Sequence, residues 1–442
     1  MNGVPANLLL GVALAIGLGV PAYAGRIRGR PFAAFSAVLL TVSLPPMLWL
    51  TARLAAAGAT WLGWASLYGL LAVGLHLASL VRARLRSPMF RYSVSVPGMA
   101  FLALGALSGP WLLALWPLRL GLAGLGAERA LGVLAWLDWV PVAVVVASLA
   151  TSMRNRTEFV RIRLAGPEED GRCTAGQAGE PTALLRLPVE WARRPREASE
   201  PRMGRGLRIV QVADPHLGPW QPEARLRRRI EALLAHDPDL VLLTGDFLTM
   251  EGNGTPGALA RALAPLARFS GRSFAVFGNH DHEAPEEVRA ALCSCGVKLL
   301  VDAEQCVETP VGPVQIVGAD WYRERRGERL RALLAACPRR AHHLRVLLLH
   351  DPLGFRELPP GEVELTLSGH THGGQVGLVS LGLSWTVLRR SRWPDHGLFG
   401  WGASRLYVHR GTGFYGFPLR IGVPGEASVL EVVPARAARR LE

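Results

Sequence analysis

Residues 363–374 read VELTLSGHTHGG, a short apolar run that ends in two histidines set among glycines. Such a run, bounded by turn residues, predicts a β-strand. His370 and His372 follow at its carboxyl end, which is where open α/β sheets place their ligand sites. This stretch therefore predicts a layered α/β domain with a site built from loops at one edge of a sheet.

Five more apolar runs upstream predict further strands of the same domain: Leu207–Val212, Leu240–Thr244, Phe274–Phe277, Val314–Val317 and Leu344–Leu349. Polar residues of the ligand type follow four of these runs: Asp214-Pro215-His216, Gly245-Asp246, Gly278-Asn279-His280-Asp281 and His350-Asp351. With the two late histidines, five loops are expected to deliver polar groups to one sheet edge.

The residue types in these five loops indicate a metal centre. Imidazole nitrogens and carboxylate oxygens, with no thiolate among them, suit manganese, iron or zinc. A carboxylate can also bridge two such ions ~3.5–4 Å apart. The glycines beside the ligands permit sharp turns and leave space for metal and phosphate. Each motif alone is weak evidence, but their combination and order are a strong signal.

This order of motifs, D-x-H, GD, GNHD, H and GHTH, resembles that of the calcineurin-like metallophosphoesterases. The resemblance extends over roughly Leu207 to Val433. Within the family, the GHTHGGQ ending and the late segments Gly411-Thr412-Gly413 and Pro418-Leu419-Arg420 are similar to the membrane-associated, YkuE-like bacterial branch, which includes lipid-directed phosphohydrolases. The resemblance implies a β-sandwich flanked by helices and a hydrolase of phosphate esters.

The resemblance also implies the ligands and the catalytic groups. One divalent metal would be held by Asp214, His216, Asp246 and His372, and a second by Asp246, Asn279, His350 and His370. Asp246 would then bridge the two ions, and a hydroxide between them would attack phosphorus. His280 would act as the general acid for the leaving oxygen, with Asp281 orienting it.

The N-terminal third is predicted to lie in a bilayer, because it contains apolar stretches of the ~20 residues that a spanning helix needs. Four carry no charge: Asn7–Gly25, Phe32–Leu50, Leu54–Val81 and Tyr92–Leu118. The fifth, Ala130–Met153, contains Asp138, which the sequence alone allows to be either a functional carboxylate or a residue facing a neighbouring helix or a water-filled notch. The prediction is therefore four to five spans.

Arginines cluster after the first, third and fifth of these stretches. By the positive-inside rule this places the N-terminus outside and the catalytic domain in the cytoplasm of a multi-pass cell-membrane protein, an orientation that inverts if the fifth stretch does not span. The expected domains are a transmembrane region over 1–153, a linker over 154–206, the catalytic domain over 207–433 and a tail over 434–442. Val160–Arg163 and Leu184–Val189 are expected to add edge strands.

Composition agrees with a membrane protein and excludes some alternatives. Half of the chain is hydrophobic, and the formal net charge of +14 rests on arginine, since Lys298 is the sole lysine. This charge favours retention near anionic membrane lipids, and no specific nucleic-acid partner is expected. Five scattered cysteines predict no disulfide framework. Protein partners are not indicated.

The function that the sequence favours is hydrolysis of a phosphoester at the membrane, with a lipid-linked phosphate or a nucleotide-lipid pyrophosphate as candidate substrate. A nuclease of the same fold, a non-catalytic scaffold, and transport or signalling through the helical bundle are the alternatives. An aromatic and basic stretch, Leu381–Trp401, follows the last ligand motif and is expected to form a flap at the rim of the site.

Overall fold

The computed structural model describes residues 3–164, 184–192, 206–359 and 361–433, and it divides the chain into two compact units. The first unit comprises Met1–Met153 together with Tyr415–Ile421, and the second comprises Arg154–Phe414 with Gly422–Glu442. The predicted tail, 434–442, and most of the predicted linker lie outside the described residues.

Among its described residues, the first unit has five helices that are long and apolar enough to cross a membrane: α1 (Ala6–Ile27), α2 (Arg30–Ala56), α3 (Leu62–Val81), α4 (Pro88–Gly124) and α5 (Glu128–Met153). Each of the five predicted stretches thus has its helix. The third begins later than expected, because Leu54 belongs to α2 and the chain then turns at Gly58, whose φ is 100°. The length and composition of these helices are those of a membrane protein.

Asp138 lies in a short 3-10 turn within α5 and is buried. Its carboxylate accepts a hydrogen bond from Arg53 at 2.8 Å and another from Arg119. Two guanidinium partners offset the cost of burying this charge among apolar helices. Of the two readings that the sequence left open, the structure therefore supports a residue that faces its helix neighbours.

Over the residues that the structure describes, the second unit is a sandwich of two seven-stranded sheets. The strands are β1 (Asn155–Arg163), β2 (Leu185–Arg186), β3 (Glu190–Trp191), β4 (Leu207–Val212), β5 (Leu240–Leu243), β6 (Ser273–Ala275), β7 (Lys298–Leu299), β8 (Ala303–Thr309), β9 (Gly312–Gly318), β10 (Leu344–Leu348), β11 (Leu365–Ser368), β12 (Gly397–Trp401), β13 (Ser404–Val408) and β14 (Gly425–Val433). One sheet has the order β3-β1-β14-β4-β5-β6-β7, and the other has the order β2-β12-β13-β11-β10-β9-β8.

The core lies between the two sheets, where alternate residues of each strand meet. Leu240 and Leu242 of β5 and Val346 and Leu348 of β10 belong to one buried cluster, as their period of two requires. A second cluster covers the outer face of β10 and includes Leu347. The helices of this unit are α6 (Glu223–Leu234), α7 (Met250–Asn253), α8 (Ala258–Leu263), α9 (Pro285–Ser294) and α10 (Arg326–Ala336). The predicted fold class is confirmed.

All six predicted strands are present. β13 and β14, which were not predicted, lie inside the two sheets, and β1, which was predicted at an edge, has β3 outside it. β1 begins at Asn155, earlier than the predicted edge strand, because it pairs in parallel with β14 along its whole length. β12 was predicted to be part of the flap, but Phe399 is buried and pairs through its backbone with Leu406. The irregular stretch after the last ligand motif therefore ends at His396 rather than at Trp401.

Candidate metal centre

The polar loops predicted from the sequence follow strands of both sheets. Asp214 and His216 lie beyond β4, and Asp246 lies beyond β5, in one sheet. His350 lies beyond β10, and the two histidines His370 and His372 lie beyond β11, in the other sheet. β4 and β5 are parallel to each other, as are β10 and β11, so each pair of loops leaves its sheet at the same edge.

The first group of potential ligands is formed by Asp214, His216 and His372. Their ligand atoms all lie within 4.8 Å of one another, and all three side chains are buried. Nε2 of His372 lies 3.5 Å from Oδ1 of Asp214 and 3.2 Å from Nε2 of His216. Two imidazole nitrogens and one carboxylate oxygen therefore converge on one point.

The second group is formed by Asp246, His350 and His370, with the same spread of ligand atoms. Asn279 joins this group, since its Oδ1 lies 2.9 Å from Nδ1 of His370 and 3.2 Å from Nε2 of His350. The loop after β6 thus contributes an amide oxygen. The family resemblance implied that these four side chains hold one ion, and in the structure all four lie close together.

Asp246 lies between the two groups. Its Oδ2 is 3.3 Å from Nε2 of His350 in the second group and 3.5 Å from Nε2 of His216 in the first. Its Oδ1 accepts the backbone N–H of His280 at 2.9 Å. A carboxylate in this position can contact two ions at once.

Several ligand residues adopt left-handed backbone conformations, which are uncommon for residues other than glycine. The φ angles of Asp214, His216, Asp246, His370 and His372 lie between 42° and 71°. Strained positions of this kind persist where the surrounding structure fixes them, and they cluster at functional sites.

Glycine is required at two positions of the ligand loops. A Cβ at Gly278 would overlap the Asp246 carboxylate, and one at Gly369 would overlap the Asp214 carboxylate. The backbone thus approaches both carboxylates more closely than any side chain would allow. This contact explains why glycine precedes Asn279 and His370 in the two motifs.

The protonation of three of the buried groups suits metal binding. His350 differs, because burial lowers its pKa but Asp246 outweighs this effect and raises the pKa to about 10, so a cation would displace the proton. Burial opposes ionisation of Asp214, but the hydrogen bond and charge of His372 lower the pKa of this carboxyl to about 2. Burial likewise opposes ionisation of Asp246, whose pKa His350 holds well below its usual value. Burial lowers the pKa of His216 to about 3, so its imidazole is neutral at pH 7. Carboxylates and neutral imidazoles are the forms that bind cations.

Backbone carbonyls orient two of the histidines. Nδ1 of His350 donates to the carbonyl oxygen of Thr244 at 2.7 Å, and Nδ1 of His216 lies 3.4 Å from the carbonyl oxygen of Leu248. Each contact leaves Nε2 as the nitrogen that faces the site. Such outer contacts fix the tautomer and the ring orientation of metal-binding histidines.

His280 has an acidic partner that the sequence did not single out. Its Nδ1 donates to Oε1 of Glu283 at 2.8 Å, and its ring centroid lies 5.6 Å from that of His216. Burial lowers the pKa of His280, but the Glu283 hydrogen bond and the charge of Asp246 outweigh this effect and raise the pKa above its ordinary value. Glu283 stands three residues after His280, two positions beyond the end of the motif, so its position was a usable signal.

Asp281 was predicted to orient His280, and its observed contacts are different. Its buried carboxylate accepts the backbone N–H groups of Asp246, Phe247 and Gly278, each at 2.7 Å. These bonds connect the loop after β5 to the loop after β6. The His280 ring donates a hydrogen bond to Glu283, and Asp281 instead holds the two ligand loops against each other.

Two further contacts lie around the site. Nε2 of His282 lies 2.9 Å from Oδ1 of Asp320, and the His282 ring packs near the ring of Phe277. Thr371, between the two histidines of the last motif, donates through Oγ1 to the backbone oxygen of Asp395 at 2.5 Å. Asp395 lies far along the chain in the irregular stretch, and no sequence signal indicated it.

The residues present fit a pair of divalent cations. Both groups offer only nitrogen and oxygen donors, their atoms are as close together as the ligands of one ion, and Asp246 joins them. Two imidazole nitrogens 3.2 Å apart share either a proton or a cation, and a cation can take the place of the proton here. A donor set of imidazoles, carboxylates and one amide suits manganese, iron and zinc alike.

Comparison with known proteins agrees with this geometry. Residues 207–374 match the calcineurin-like phosphoesterase family. The chain is 29% identical over 233 residues to Phosphodiesterase YaeI of Escherichia coli (strain K12). The aligned region covers 51% of this chain and 82% of that protein. It is 27% identical over 230 residues to the metallophosphoesterase YkuE of Bacillus subtilis (strain 168), covering 51% of this chain and 78% of that one.

The name of a vertebrate relative mentions both a transmembrane protein and a metallophosphoesterase domain. The chain is 28% identical over 239 residues to the "Transmembrane protein with metallophosphoesterase domain" of Danio rerio. The match covers 50% of this chain and 52% of that protein, so it spans about half of the relative's length.

Proposed function

Because this chain is a membrane protein with a calcineurin-like metallophosphoesterase domain, and hence a hydrolase, we propose that it cleaves phosphate esters at the membrane through a pair of metal ions. The observation that carries the proposal is the convergence of two nitrogen and oxygen donor groups on the single carboxylate of Asp246. The proposed substrate class is a lipid-linked phosphate or a nucleotide-lipid pyrophosphate.

The proposed ligands follow the two groups described above. One cation would be held by Asp214, His216, Asp246 and His372, and the other by Asp246, Asn279, His350 and His370. When bound, two divalent cations stabilise negative charge on phosphoryl oxygens and lower the pKa of water to near neutrality. Nitrogen and oxygen ligands of this kind suit manganese, iron or zinc.

His280 is the proposed general acid of the reaction. Glu283 accepts a hydrogen bond from Nδ1–H of His280. The other ring nitrogen, Nε2, is therefore the atom that donates a proton to the leaving-group oxygen. The side chain is 30% exposed, in contrast to the buried ligands, and a substrate can therefore reach it. Asp281 supports the site by fixing the ligand loops rather than by touching the substrate.

The membrane location of the substrate rests on the anchoring of the enzyme. β1 begins at Asn155, immediately after α5 ends at Met153, so the catalytic unit is tethered to the last spanning helix. Tethering raises the effective concentration of a membrane-bound substrate. With five spans and arginines clustered after the first, third and fifth, we place the catalytic unit in the cytoplasm.

Turnover by the full-length chain in neutral detergent tests the proposed reaction. Bis-p-nitrophenyl phosphate and p-nitrophenyl phosphate would be supplied with Mn²⁺, with single-stranded DNA as a third substrate. We expect metal-dependent hydrolysis that Asp246→Ala abolishes and His280→Ala reduces sharply. Preferential cleavage of DNA would indicate a nuclease, and a folded chain that neither binds metal nor hydrolyses any ester would indicate a scaffold.

Labelling of single cysteines in intact cells tests the proposed orientation. A cysteine introduced at Gly126, between α4 and α5, is expected to react with a membrane-impermeant maleimide, and one introduced at Ser87, between α3 and α4, is expected to be protected. The reverse pattern would place the catalytic unit outside the cytoplasm.

A further inference from the structure

An arginine-lined pocket of about 540 Å³ lies on the surface of the catalytic unit. Five arginines line it, Arg323, Arg325, Arg326, Arg331 and Arg392, against only two carboxylates, those of Glu328 and Glu357. Guanidinium groups bind phosphate through paired hydrogen bonds more readily than other cationic side chains do.

Only part of this positive charge is neutralised within the protein. Arg325 pairs with Glu328 at 2.5 Å, and Arg326 lies 2.8 Å from Asp351 and 3.7 Å from Glu357. Within the described ranges, Arg323, Arg331 and Arg392 have no carboxylate partner, although Arg392 stacks over the ring of Trp393. Three unneutralised guanidinium groups therefore surround one concave surface.

The pocket is connected to two of the ligand loops of the metal centre, since its Arg326 pairs with Asp351, the residue that follows His350. Leu353 lines the pocket and stands three residues after His350, so their Cα atoms are at most about 11 Å apart. On the other side, Arg392 belongs to the irregular stretch that Asp395 ties to Thr371, between the two histidines of the last motif.

The amino end of α10 adds to the attraction for an anion. α10 begins at Arg326 within the pocket, and its N-cap residue, Arg325, offers no side-chain acceptor to the first-turn N–H groups. The partial positive charge at a helix amino end favours negatively charged ligands. This contribution acts in the same direction as the guanidinium groups.

We infer that the arginine pocket binds a second phosphate group of the substrate, one that is remote from the ester undergoing hydrolysis. This inference rests on the proposed function and narrows its substrate class to phosphoesters that carry an additional phosphate besides the reacting one. The metal centre acts on one phosphate while the pocket fixes the other, which orients the substrate.

A matched pair of substrates tests this inference: thymidine 5′-(p-nitrophenyl phosphate), and the same ester with a 3′-phosphate. The two differ by a single remote phosphate. Both would be assayed with the full-length chain in neutral detergent with Mn²⁺. The quantity compared is the ratio of kcat/KM for the phosphorylated ester to that for the plain ester.

Two pocket variants and one control separate the pocket from general charge effects. Arg331→Gln and Arg392→Gln each remove one unneutralised guanidinium group. Arg329→Gln removes a cation from the same helix, but this residue lies outside the pocket, over the ring of Tyr322. Circular dichroism and Tm values equal to those of the wild type would show that each variant is folded.

We expect the wild type to prefer the phosphorylated ester, and each pocket variant to lower the ratio about tenfold through KM, which is the effect of one charge-assisted hydrogen bond. Arg329→Gln is expected to keep the ratio of the wild type. A ratio unchanged in the double pocket variant, with the plain ester still hydrolysed, would overturn the inference alone. If the wild type hydrolysed neither ester, the proposed function would fail with it.

A lipid headgroup is the other source of phosphate that the pocket could meet. Micelles of short-chain phosphatidylglycerol would be added to the same assay. Stimulation by this lipid that the double variant loses, together with an unchanged substrate ratio, would place a lipid headgroup in the pocket and overturn the inference. If the double variant loses the preference for the phosphorylated ester and the wild type does not respond to the lipid, the inference is supported.

Discussion

Nε2 of His216 lies 3.2 Å from Nε2 of His372, although the two residues are 156 positions apart and follow strands of different sheets. The first group of ligands therefore exists only when the two sheets are packed against each other. The unfolded chain has no equivalent arrangement of donors. Metal binding and folding of the sandwich should consequently be linked.

This linkage predicts that metal ions raise the thermal stability of the protein. A cation present at 100 times its Kd contributes about 2.7 kcal/mol to the free energy of unfolding. We expect Mn²⁺ to raise Tm by several degrees over EDTA-treated protein, as followed by tryptophan fluorescence in detergent. Asp246→Asn should lose most of this increase. An equal Tm with and without metal would argue against a metal centre that spans both sheets.

The contact between His280 and Glu283 predicts graded losses of activity. Removing a general acid costs about 10²–10⁴-fold in rate, so His280→Gln should lower kcat by that amount without preventing metal binding. Glu283→Gln should lower kcat less, because the imidazole remains but loses its charged partner. Glu286→Gln, on α9 two residues into the helix, is the matched control and should retain full activity. If Glu283→Gln behaved like this control, Glu283 would have no part in orienting His280.

Asp281 is expected to act on metal affinity through the backbone. The Asp281→Asn side chain keeps one oxygen acceptor but loses the charge that three N–H groups share. Loss of such an outer contact typically weakens metal binding by about 10–100-fold. Titration of the metal-free protein with Mn²⁺ measures this change. Activity that fell at saturating metal with no change in affinity would instead assign Asp281 a direct role in the reaction.

A buried network around Arg410 predicts a pH-dependent stability. Arg410 pairs with Glu158 and lies 3.5 Å from Glu426, and all three side chains are buried. Burial and the charge of Glu426 raise the pKa of Glu158 to about 7. A carboxyl whose pKa is higher in the folded state stabilises the protein when protonated, so its contribution is lost as pH rises between about 4.5 and 7.

Arg410→Gln should therefore destabilise the protein by about 3–5 kcal/mol at pH 7.5, because it leaves buried carboxylates without their cation. The loss should be smaller at pH 5, where Glu158 is protonated. Arg161→Gln is the control, since Arg161 pairs with Glu431 at a partly exposed position and should cost at most about 1 kcal/mol. Thermal unfolding at both pH values measures the difference. A penalty for Arg410→Gln that did not depend on pH would contradict this account of Glu158.

The sequence predicted the strands that precede the ligand loops because each is a short apolar run ending in a polar motif. β12 escaped prediction because Gly397 and Gly400 made it resemble a loop, and its pairing with β13 depends on residues that only the folded chain brings together. The partners of Asp138 were hidden for the same reason, since Arg53 lies 85 positions away. The role of Asp281 could not be inferred, because a carboxylate that accepts backbone N–H groups leaves no pattern in side-chain identities.

The central claim is that two metal ions are held around Asp246, and metal content measured together with turnover tests it most directly. Full-length protein would be loaded with Mn²⁺, freed of excess ion, and analysed by inductively coupled plasma mass spectrometry and by hydrolysis of bis-p-nitrophenyl phosphate. We expect about two ions per chain in the wild type, fewer in Asp246→Asn, and turnover that falls with the ions. A folded wild-type protein that bound no metal, or an Asp246→Asn variant that kept both ions and full activity, would contradict the account.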